Sequence, residues 1–205
     1  LKTPIASVRL AAESALTSLE RDDGMTKSFL EQILRDSDRM NELISDLLDL
    51  SAMESSDVFM EAFDLHDVIA NEISYLSKQN KKRISYKKKK VEINANFDDI
   101  SLAVKNLIKN ALKYSPPEEN ILIQIEENDK SVRCSFQDFG SGISKSDQEK
   151  IFERFYRVDK GRSRKVGGTG LGLAIVKHAL DRNNAVIEIV SELDHGSNFT
   201  IVFEK

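Results

Sequence analysis

The sequence predicts an α+β fold in two parts. An antiparallel helical hairpin occupies residues 1–55, a linker residues 56–64, and a mixed unit of helices and strands residues 65–205. Apolar residues recur every three or four positions through the first part, as on one face of a helix, whereas alternating, strand-like stretches appear after it. The charge also changes: residues 1–60 carry 6 lysines and arginines against 12 aspartates and glutamates, and residues 61–205 carry 24 against 22.

The bulk composition is that of a globular protein. Of 205 residues, 40% are hydrophobic and 31% charged, with a net charge of −4. No apolar run approaches the roughly 20 residues that cross a bilayer, there is no signal peptide, and the single Cys134 fits a reducing compartment. The acidic first part argues against general nucleic-acid binding. Because the chain opens on Leu1, we expect it to be part of a longer protein, whose remainder could hold a membrane anchor.

The first part contains two amphipathic helices joined by a turn at residues 20–24. The first helix, over residues 5–19, has the apolar seam Ile5, Val8, Ala12, Ala15 and Leu19. The second, over residues 27–53 with Thr26 as candidate N-cap, continues the spacing with one polar break, along Phe29, Ile33, Asp36, Met40, Leu43, Leu47 and Leu50. One hairpin cannot cover two apolar seams, so we expect a homodimer in which two hairpins form a four-helix bundle. The alternative is that the hairpin packs against the second unit.

The second part alternates helical and strand-like stretches. Helices are predicted over residues 65–76, 100–114, 148–155 and 171–180. Strands are predicted over residues 121–125 and 132–136, joined through Asn128-Asp129, and over 186–189 and 199–203, which close as a hairpin after a left-handed cap at Asn183-Asn184. We expect an antiparallel sheet with helices on one face.

Residues 78–95 are rich in lysine but also alternate between polar and apolar positions. The apolar positions are Ile84, Tyr86, Val91, Ile93 and Ala95. A nucleic-acid or lipid patch is one interpretation of the lysines. We favour a pair of strands with solvated lysines, because lysines also protect an exposed sheet edge.

A glycine-rich segment, Gly167-Gly168-Thr169-Gly170-Leu171-Gly172-Leu173, directly precedes the last predicted helix. Glycines let the backbone approach a ligand, and a helix N-terminus after such a turn favours phosphate. A flexible structural loop would have the same composition. The segment matches neither the Walker loop nor the Rossmann fingerprint. Because a basic stretch at residues 160–165 precedes it, we interpret the whole as a lid that ends in a phosphate-binding helix start.

Two asparagines, Asn106 and Asn110, lie one turn apart on the helix predicted at residues 100–114, and Lys113 and Tyr114 follow one turn later. Asparagine is a mediocre helix former, so two of them indicate more than a solvated surface. An amide oxygen suits Mg²⁺, which prefers hard oxygen ligands. A lysine can neutralise phosphate, and a tyrosine offers an aromatic face.

Two further segments carry candidate ligand groups. Asp138, beside Gly140 and Gly142, could accept a hydrogen bond from an exocyclic amine such as that of adenine. Asp-Gly turns without any ligand are also common. Arg157 follows the apolar segment 152–155 at the entrance of the lid, where a guanidinium can hold phosphate oxygens.

Together these segments resemble the nucleotide-binding boxes of sensor histidine kinases. The four matches are Asn106–Ser115 with the N box, Asp138–Gly142 with the G1 box, Phe152–Arg157 with the F box and Gly168–Leu173 with the G2 box. Residues 1–55 resemble the dimerisation and phosphotransfer hairpin of the family. The resemblance implies that residues 65–205 form a two-layer α/β sandwich of the Bergerat ATP-binding type, with an ATP lid at residues 158–170.

The resemblance also implies ATP and Mg²⁺ as cofactors. Asn110 would ligate Mg²⁺ with Asn106 close by, and Lys113 and Arg157 would hold phosphates and act in catalysis. The implied nucleotide-binding set is Asn106, Asn110, Lys113, Tyr114, Asp138, Gly140, Gly142, Ile143, Arg157, Gly168, Thr169, Gly170, Leu171, Gly172 and Leu173. Within this set, the tyrosine would line the adenine site and the aspartate would accept a hydrogen bond from the adenine amine.

The start of the chain departs from the family pattern. The phosphoacceptor motif of the family reads His-Glu/Asp-Leu-Lys/Arg-Thr-Pro, and this chain begins Leu1-Lys2-Thr3-Pro4. We therefore expect the acceptor histidine just upstream, and the chain as given to bind ATP without phosphorylating itself. Thr3 matches the family residue linked to water positioning in regulator dephosphorylation. His66, His178 and His195 match no acceptor position.

The resemblance implies a cytoplasmic, dimeric phosphotransferase. It would move the γ-phosphoryl group of ATP to a histidine and then to an aspartate of a response-regulator receiver domain. Two other functions remain open on the sequence. An ATPase of the gyrase, chaperone or mismatch-repair kind would use a glutamate in the place of Asn106 to activate water. A degenerate nucleotide-binding scaffold would only dimerise, and the four intact boxes disfavour it.

Overall fold

The computed structural model describes residues 2–21, 25–158 and 168–205, and it begins with the predicted hairpin. Helix α1 (Lys2–Arg21) and helix α2 (Thr26–Ser55) pack antiparallel, with buried Ala11 and Ala15 facing α2. Asp36, the polar break in the α2 seam, accepts a hydrogen bond of 2.6 Å from the Ser7 hydroxyl. Within the described ranges, no helix is both long and apolar enough to cross a membrane.

One detail of the predicted hairpin is wrong. Thr26 is the first helical residue and not the N-cap: Met25 holds the cap position, and the Thr26 hydroxyl donates to Ser18 on α1. Within the predicted α1 seam, Ala15 is buried, whereas Ile5 is 52% and Leu19 67% exposed, as expected for a seam that one hairpin cannot cover. The outward residues leave both helices with apolar side chains in solvent.

The second unit contains a five-stranded sheet and a two-stranded one. Its elements are β1 (Glu61–Asp64), α3 (Leu65–Ser74), α4 (Lys78–Lys82), β2 (Ile84–Tyr86), β3 (Glu92–Ala95), α5 (Phe97–Tyr114), β4 (Ile121–Glu127), β5 (Ser131–Asp138), α6 (Lys145–Gln148), a 3₁₀ turn (Lys150–Phe152), α7 (Gly172–Arg182), β6 (Ala185–Ser191) and β7 (Ser197–Glu204). The large sheet has the order β2-β4-β5-β7-β6, and β1 pairs with β3. Residues 61–64 of the expected linker are thus strand β1.

The large sheet is antiparallel except at one edge, where β2 pairs in parallel with β4. The expected antiparallel sheet is therefore correct for four strands and wrong for the fifth. The hairpin β4–β5 turns at Asn128, whose side-chain oxygen accepts from the backbone N–H groups of Lys130 and Ser131. Asn184, at the end of α7, has the predicted left-handed conformation with φ 52°.

The predicted pairing of the strands around the lysine run is wrong, because they belong to different sheets. The Arg83 carbonyl accepts the Ile121 N–H at 2.7 Å, which ties β2 to β4. The Asp64 side chain accepts the Val91 N–H at 3.1 Å, and the Val91 carbonyl accepts the Leu65 N–H at 2.9 Å. These bonds draw β3 to β1 instead of to β2. The helix predicted over residues 148–155 is likewise two short turns, α6 and the 3₁₀ turn.

The core lies between the large sheet and helices α3, α5 and α7. Cross-strand neighbours Ile123 and Phe136 are fully buried on the sheet, and Ile201 is buried on β7. Leu107 of α5 and Ile175 of α7 are buried in the same core. Burial of each such side chain contributes about 1.5–3 kcal/mol, so α5 is held firmly along one face.

A buried polar network joins the first turn of α5 to the end of α7 and to the hairpin. Asp99 accepts from Arg182 Nε at 3.0 Å and from Asn183 Nδ2 at 3.1 Å. Arg182 also donates to the carbonyls of Met53 and Ser56 at the end of α2. Because both ends of the Asp99–Arg182 ion pair are buried, removal of one partner leaves an uncompensated charge.

We expect Asp99→Ala to lower the free energy of unfolding by about 3 kcal/mol, because the largely buried Arg182 guanidinium then loses its carboxylate partner. Asp98→Ala is the matched control: Asp98 is in the same first turn but exposed, so only its favourable helix-dipole term of about 0.3–1 kcal/mol is lost. Chemical denaturation of both variants measures the difference. Equal losses would show that the network does not stabilise the fold.

Candidate functional site

Helix α5 presents one face to the core and the opposite region to a cleft. The helix begins at Phe97, and the Asn96 side chain caps it by accepting the Asp99 N–H at 3.0 Å. Leu107 and Ile108 are buried in the core. The sequence-predicted ligand residues follow on the same helix: Asn106 is 8% exposed, Asn110 and Lys113 are half-buried, and Tyr114 is 47% exposed.

The G2 segment passes directly over the asparagine-bearing helix. A Cβ placed on Gly172 would lie 2.9 Å from the Asn106 side-chain oxygen, and one placed on Gly168 would lie closer than 3.0 Å to Lys113 Nζ. A side chain at either position would displace the group beneath it. Glycine therefore lets the backbone at residues 168–172 lie against the polar atoms of α5.

The G1 loop meets α5 at its C-terminal end. A Cβ on Gly140 would lie closer than 3.0 Å to the Tyr114 carbonyl oxygen, so only glycine fits there. The Ser115 hydroxyl accepts the Phe139 N–H at 3.0 Å, which fastens the same loop to the end of the helix. The G1 loop and the end of the N box thus form one wall.

Asp138 lies at the base of this wall and is 5% exposed. Its Oδ1 accepts from the backbone N–H groups of Gly140 at 2.9 Å and Ser197 at 3.2 Å. Burial raises the pKa of the carboxyl group, and hydrogen bonds from Gly140 and from the backbone and side chain of Ser197 partly oppose the shift. The carboxylate is thus held in place by its neighbours at the base of the wall.

The F segment closes the opposite side. The Phe155 N–H donates to the Gly170 carbonyl at 2.8 Å, so the F and G2 boxes are hydrogen-bonded to each other. Phe155 itself is 60% exposed with φ 67°, which contradicts a simple packing role for this aromatic residue. Arg157 is half-buried, and burial together with Arg39 of α2 lowers its pKa from the ordinary value.

Lys113 is the most strongly perturbed cation of the site. Burial, opposed by Glu42 and aided by Arg157, Lys109 and Arg39, lowers its pKa to about 8. Its Nζ lies 5.2 Å from the centroid of the Tyr114 ring. The site therefore concentrates positive charge on groups that burial disfavours, an arrangement that an anionic ligand would relieve.

The other sequence-predicted site residues support the loops. Gly142, with φ 65°, lies against the Glu192 backbone, and the Ile143 N–H donates to the Ser191 hydroxyl at 2.8 Å. The Thr169 hydroxyl accepts the Leu171 N–H at 3.1 Å. Leu171 is fully buried and Leu173 half-buried. Gly167 and the basic stretch of the predicted lid lie outside the described residues, as does the Thr3 side chain.

Two amide oxygens could contribute to a cation site. Asn106 Nδ2 donates to the Leu102 carbonyl at 2.9 Å, so its oxygen points to the Gly172 side. Asn110, the predicted Mg²⁺ ligand, is half-buried. The described ranges contain no cluster of three or more His, Cys, Asp or Glu residues that could hold a metal ion alone. This donor set fits Mg²⁺ that arrives with phosphate oxygens, because Mg²⁺ commonly completes its shell with substrate and water.

Comparison with known families assigns both parts of the chain. Residues 95–205 match the family model "Histidine kinase-, DNA gyrase B-, and HSP90-like ATPase", and residues 1–56 match the "His Kinase A (phospho-acceptor) domain". The chain belongs to the sensor histidine kinases of two-component systems. The sequence-predicted family and the α+β fold class are thereby confirmed.

Known sensor kinases match this chain along nearly the whole of its 205 residues. The sensor-like histidine kinase SenX3 of Mycolicibacterium smegmatis is 33% identical over 213 residues, which covers 98% of this chain and 54% of the relative. The phosphate regulon sensor protein PhoR of Pseudomonas aeruginosa is 36% identical over 211 residues, or 99% of this chain and 47% of the relative. The chain thus spans about half the length of these relatives.

Solved structures share the fold. The histidine kinase AdeS of Acinetobacter baumannii superposes with a TM-score of 0.72 at 22% identity, over 100% of this chain and 96% of that one. The catalytic domain of the histidine kinase ThkA has a TM-score of 0.61 at 24% identity, over 72% of this chain and 98% of that one.

One residue that supports the kinase site, Arg83, escaped the sequence analysis. Its guanidinium donates to the carbonyls of Leu112, Ser115 and Pro116 at 3.2, 3.3 and 2.8 Å, and its Nε donates to the Glu119 carbonyl at 3.2 Å. One of these carbonyls, that of Leu112, lies in the last turn of α5, where carbonyls have no partner within a regular helix. Arg83 therefore fixes the turn that carries Lys113 and Tyr114. In sequence it was indistinguishable from the lysines around it.

We expect Arg83→Gln to lower the free energy of unfolding by about 1–3 kcal/mol, because the replacement cannot satisfy four carbonyls with charged donors. Lys82→Gln is the control, since Lys82 is exposed on the same segment and its loss should cost less than about 0.5 kcal/mol. Urea denaturation compares the two. A loss in Arg83→Gln no larger than in Lys82→Gln would contradict a stabilising role for the Arg83 contacts.

Proposed function

We propose that the chain is the phosphotransfer and ATP-binding core of a cytoplasmic sensor histidine kinase. It binds Mg²⁺-ATP between α5 and the segment 168–173. In the longer protein it transfers the γ-phosphoryl group to a histidine two residues before Leu1, and from there to an aspartate of a response-regulator receiver domain. Residues 1–55 form the hairpin domain, residues 56–64 the linker and residues 65–205 the catalytic domain of this proposal.

The convergence of four sequence segments on one cleft carries the proposal. The G1 loop touches Tyr114 through Gly140, the G2 segment lies over Asn106 and Lys113, and the F segment bonds to G2 through the Phe155 N–H. Loops that only packed against the helix would not need glycines at the positions that lie against its polar groups.

Each part of the nucleotide has a matching group in the cleft. The Asp138 carboxylate is the proposed acceptor for the adenine amine, and the exposed Tyr114 ring is a surface for the base. Lys113 and Arg157 supply positive charge for the phosphates. The amide oxygens of Asn110 and Asn106 would hold Mg²⁺, which supplies charge neutralisation at the transferring phosphoryl group.

The chemistry assigned to the protein is positioning and charge stabilisation. A neutral imidazole is already a nucleophile, so the cleft needs no base to activate it. The lysine and arginine stabilise charge on the phosphoryl oxygens as the bond to ADP breaks and the bond to the imidazole nitrogen forms. Arg83 and the Ser115–Phe139 bond hold the helix end and the G1 loop at a fixed separation.

Water activation, as in an ATPase of the gyrase or chaperone kind, has little support from the site. The residue at the corresponding position is Asn106, and its amide nitrogen is already engaged with the Leu102 carbonyl. An amide cannot accept a proton from water as a glutamate can. Slow hydrolysis and stable nucleotide binding follow from this difference.

The hairpin supports dimerisation. Large apolar side chains on its outer face are 44–66% exposed, namely Leu10, Leu16, Leu30, Leu34, Ile44 and Leu48. A contiguous apolar face of this kind needs a partner. Two hairpins packed as a four-helix bundle would cover it, and the bundle surface would then receive the receiver domain.

We expect Asp138→Asn to fold but to bind ATP at least about tenfold more weakly, because an NH₂ group then faces the adenine amine and two donors meet. The fold should persist for two reasons. First, the asparagine oxygen still accepts from Gly140 and Ser197. Second, because folding raises the pKa of the Asp138 carboxyl group, the ionised aspartate opposes folding at neutral pH, and a neutral asparagine does not. Calorimetric titration with Mg²⁺-ATP measures the change.

The control for this experiment is Asp129→Asn, a change on the exposed β4–β5 turn that should leave ATP affinity unaltered. Asn110→Ala should remove the Mg²⁺ dependence of binding. No ATP binding by the unaltered chain would contradict the proposed function.

ATP affinity should also fall as the pH rises from 7 to 9. Because the Lys113 pKa is about 8, the free protein loses this positive charge within that pH range. The phosphates of ATP then lose a positively charged ligand. Lys113→Arg should bind ATP with little pH dependence there, because a guanidinium stays charged. Titrations at several pH values compare the two proteins, and parallel pH profiles would contradict the assignment of Lys113 to the phosphates.

A further inference from the structure

Two acidic residues of α2 hold both walls of the nucleotide cleft. Glu42 pairs with Lys109 of α5 at 2.9 Å, and Asp46, one helical turn further, accepts the hydroxyl hydrogen of Thr169 in the G2 segment. Lys109 lies one residue before the predicted Mg²⁺ ligand. The asparagine-bearing wall and the glycine-rich wall therefore attach to the same stretch of the hairpin.

The Thr169 hydroxyl links the hairpin to the phosphate-binding turn. Its oxygen accepts the Leu171 N–H at 3.1 Å while its hydrogen goes to Asp46. A shift of Asp46 would therefore be passed to the backbone at the start of α7. Half-burial raises the pKa of Asp46, and the hydrogen bond from Thr169 favours the ionised form that accepts it.

The position of Glu42 and Asp46 along the hairpin axis can be related to residues of α1. Ser7 bonds to Asp36 and Thr26 bonds to Ser18, so each residue of α1 lies level with a residue of α2 in an antiparallel register. In the longer protein of the proposed function, a helix α1 that continued this register upstream at 1.5 Å per residue would bring the position two residues before Leu1 between the levels of Glu42 and Asp46. That position is the acceptor histidine of the proposed function.

We propose that Glu42 and Asp46 are positioning residues for phosphoryl transfer. They bind Lys109 and Thr169 and so dock the catalytic domain on the hairpin. Along the hairpin axis, the docked nucleotide cleft is then level with the acceptor histidine of one of the two protomers. The inference rests on the proposed function and adds to it the surface of the hairpin that the catalytic domain uses during transfer.

The strength of the contacts suits a repeated docking step. The Glu42 and Lys109 side chains are 40% and 51% exposed, so their ion pair is screened by solvent and breaks easily. A permanent attachment would block the receiver domain from the same histidine. A weak pair orients the catalytic domain for transfer and then releases it.

The test uses the full-length protein with its acceptor histidine and measures the acid-labile phosphate formed against ATP concentration. We expect Glu42→Gln and Asp46→Asn to lower kcat at least about tenfold, because a misplaced nucleotide loses near-attack geometry. The KM for ATP should change by a smaller factor than kcat, because neither side chain is a proposed ligand of the nucleotide and each acts on the site through Lys113 or Thr169. The control is Glu31→Gln, on the same helix, where the exposed Glu31 side chain pairs with Arg35 one turn away.

A charge swap separates positioning from general stability. Glu42→Lys alone should slow phosphoryl transfer. The double variant Glu42→Lys with Lys109→Glu should restore the rate, because an ion pair with exchanged charges can form at the same place. Unchanged kcat in the single variants would overturn the inference, and faster transfer would do so by showing that the contacts are inhibitory. No phosphate on the unaltered protein would instead overturn the proposed function itself, and the inference with it.

Discussion

The site depends on peptide backbone lying against α5 where no side chain fits. Gly140 reaches the Tyr114 carbonyl, and Gly168 and Gly172 reach Lys113 and Asn106. At Gly140 the contact is with the helix backbone, which cannot yield because the other face of the helix is packed in the core through residues such as Leu107, whereas at Gly168 and Gly172 it is with the ends of side chains. The glycines thus let two loops lie against one helix. Everything assigned to the nucleotide follows from that proximity.

The electrostatics of the cleft oppose the stability of the free protein. Lys113 and Arg157 are both partly buried; Arg157 lowers the pKa of Lys113, and Arg39 lowers that of Arg157. A fold selected only for stability would not keep these cations in this position. A polyanionic ligand would add negative charge here, so part of this electrostatic cost would be recovered when phosphates bind.

Most of the fold was predictable because it rests on local periodicity. The seam of α2, the core face of α5 and the alternation of β4, β5 and β7 are repeated over many residues. Pairing was less predictable: nothing local to Ile84 or Ile93 tells one strand to join β4 and the other β1, since Asp64 and Arg83 decide this from a distance. Thr26 failed as a cap because a tertiary partner, Ser18, took its hydroxyl.

The candidate site shows the same division. Motif residues such as Asp138 could be named from sequence, because their neighbours in the chain are glycines that only a close approach requires. Arg83, Ser115, Glu42 and Asp46 could not. Each acts through a partner far away in sequence, and a lysine-rich segment or an acidic helix face gives no sign of which member has a long-range contact.

The position of Arg182 has a consequence for how separable the two units are. Its guanidinium serves Asp99 inside the catalytic unit and the carbonyls of Met53 and Ser56 at the end of the hairpin. A catalytic unit cut away from the hairpin would keep Asp99 as an acceptor for this side chain and lose Met53 and Ser56. The two units are distinct in architecture, yet one arginine is bonded to both, so an isolated catalytic domain would leave part of this guanidinium to water.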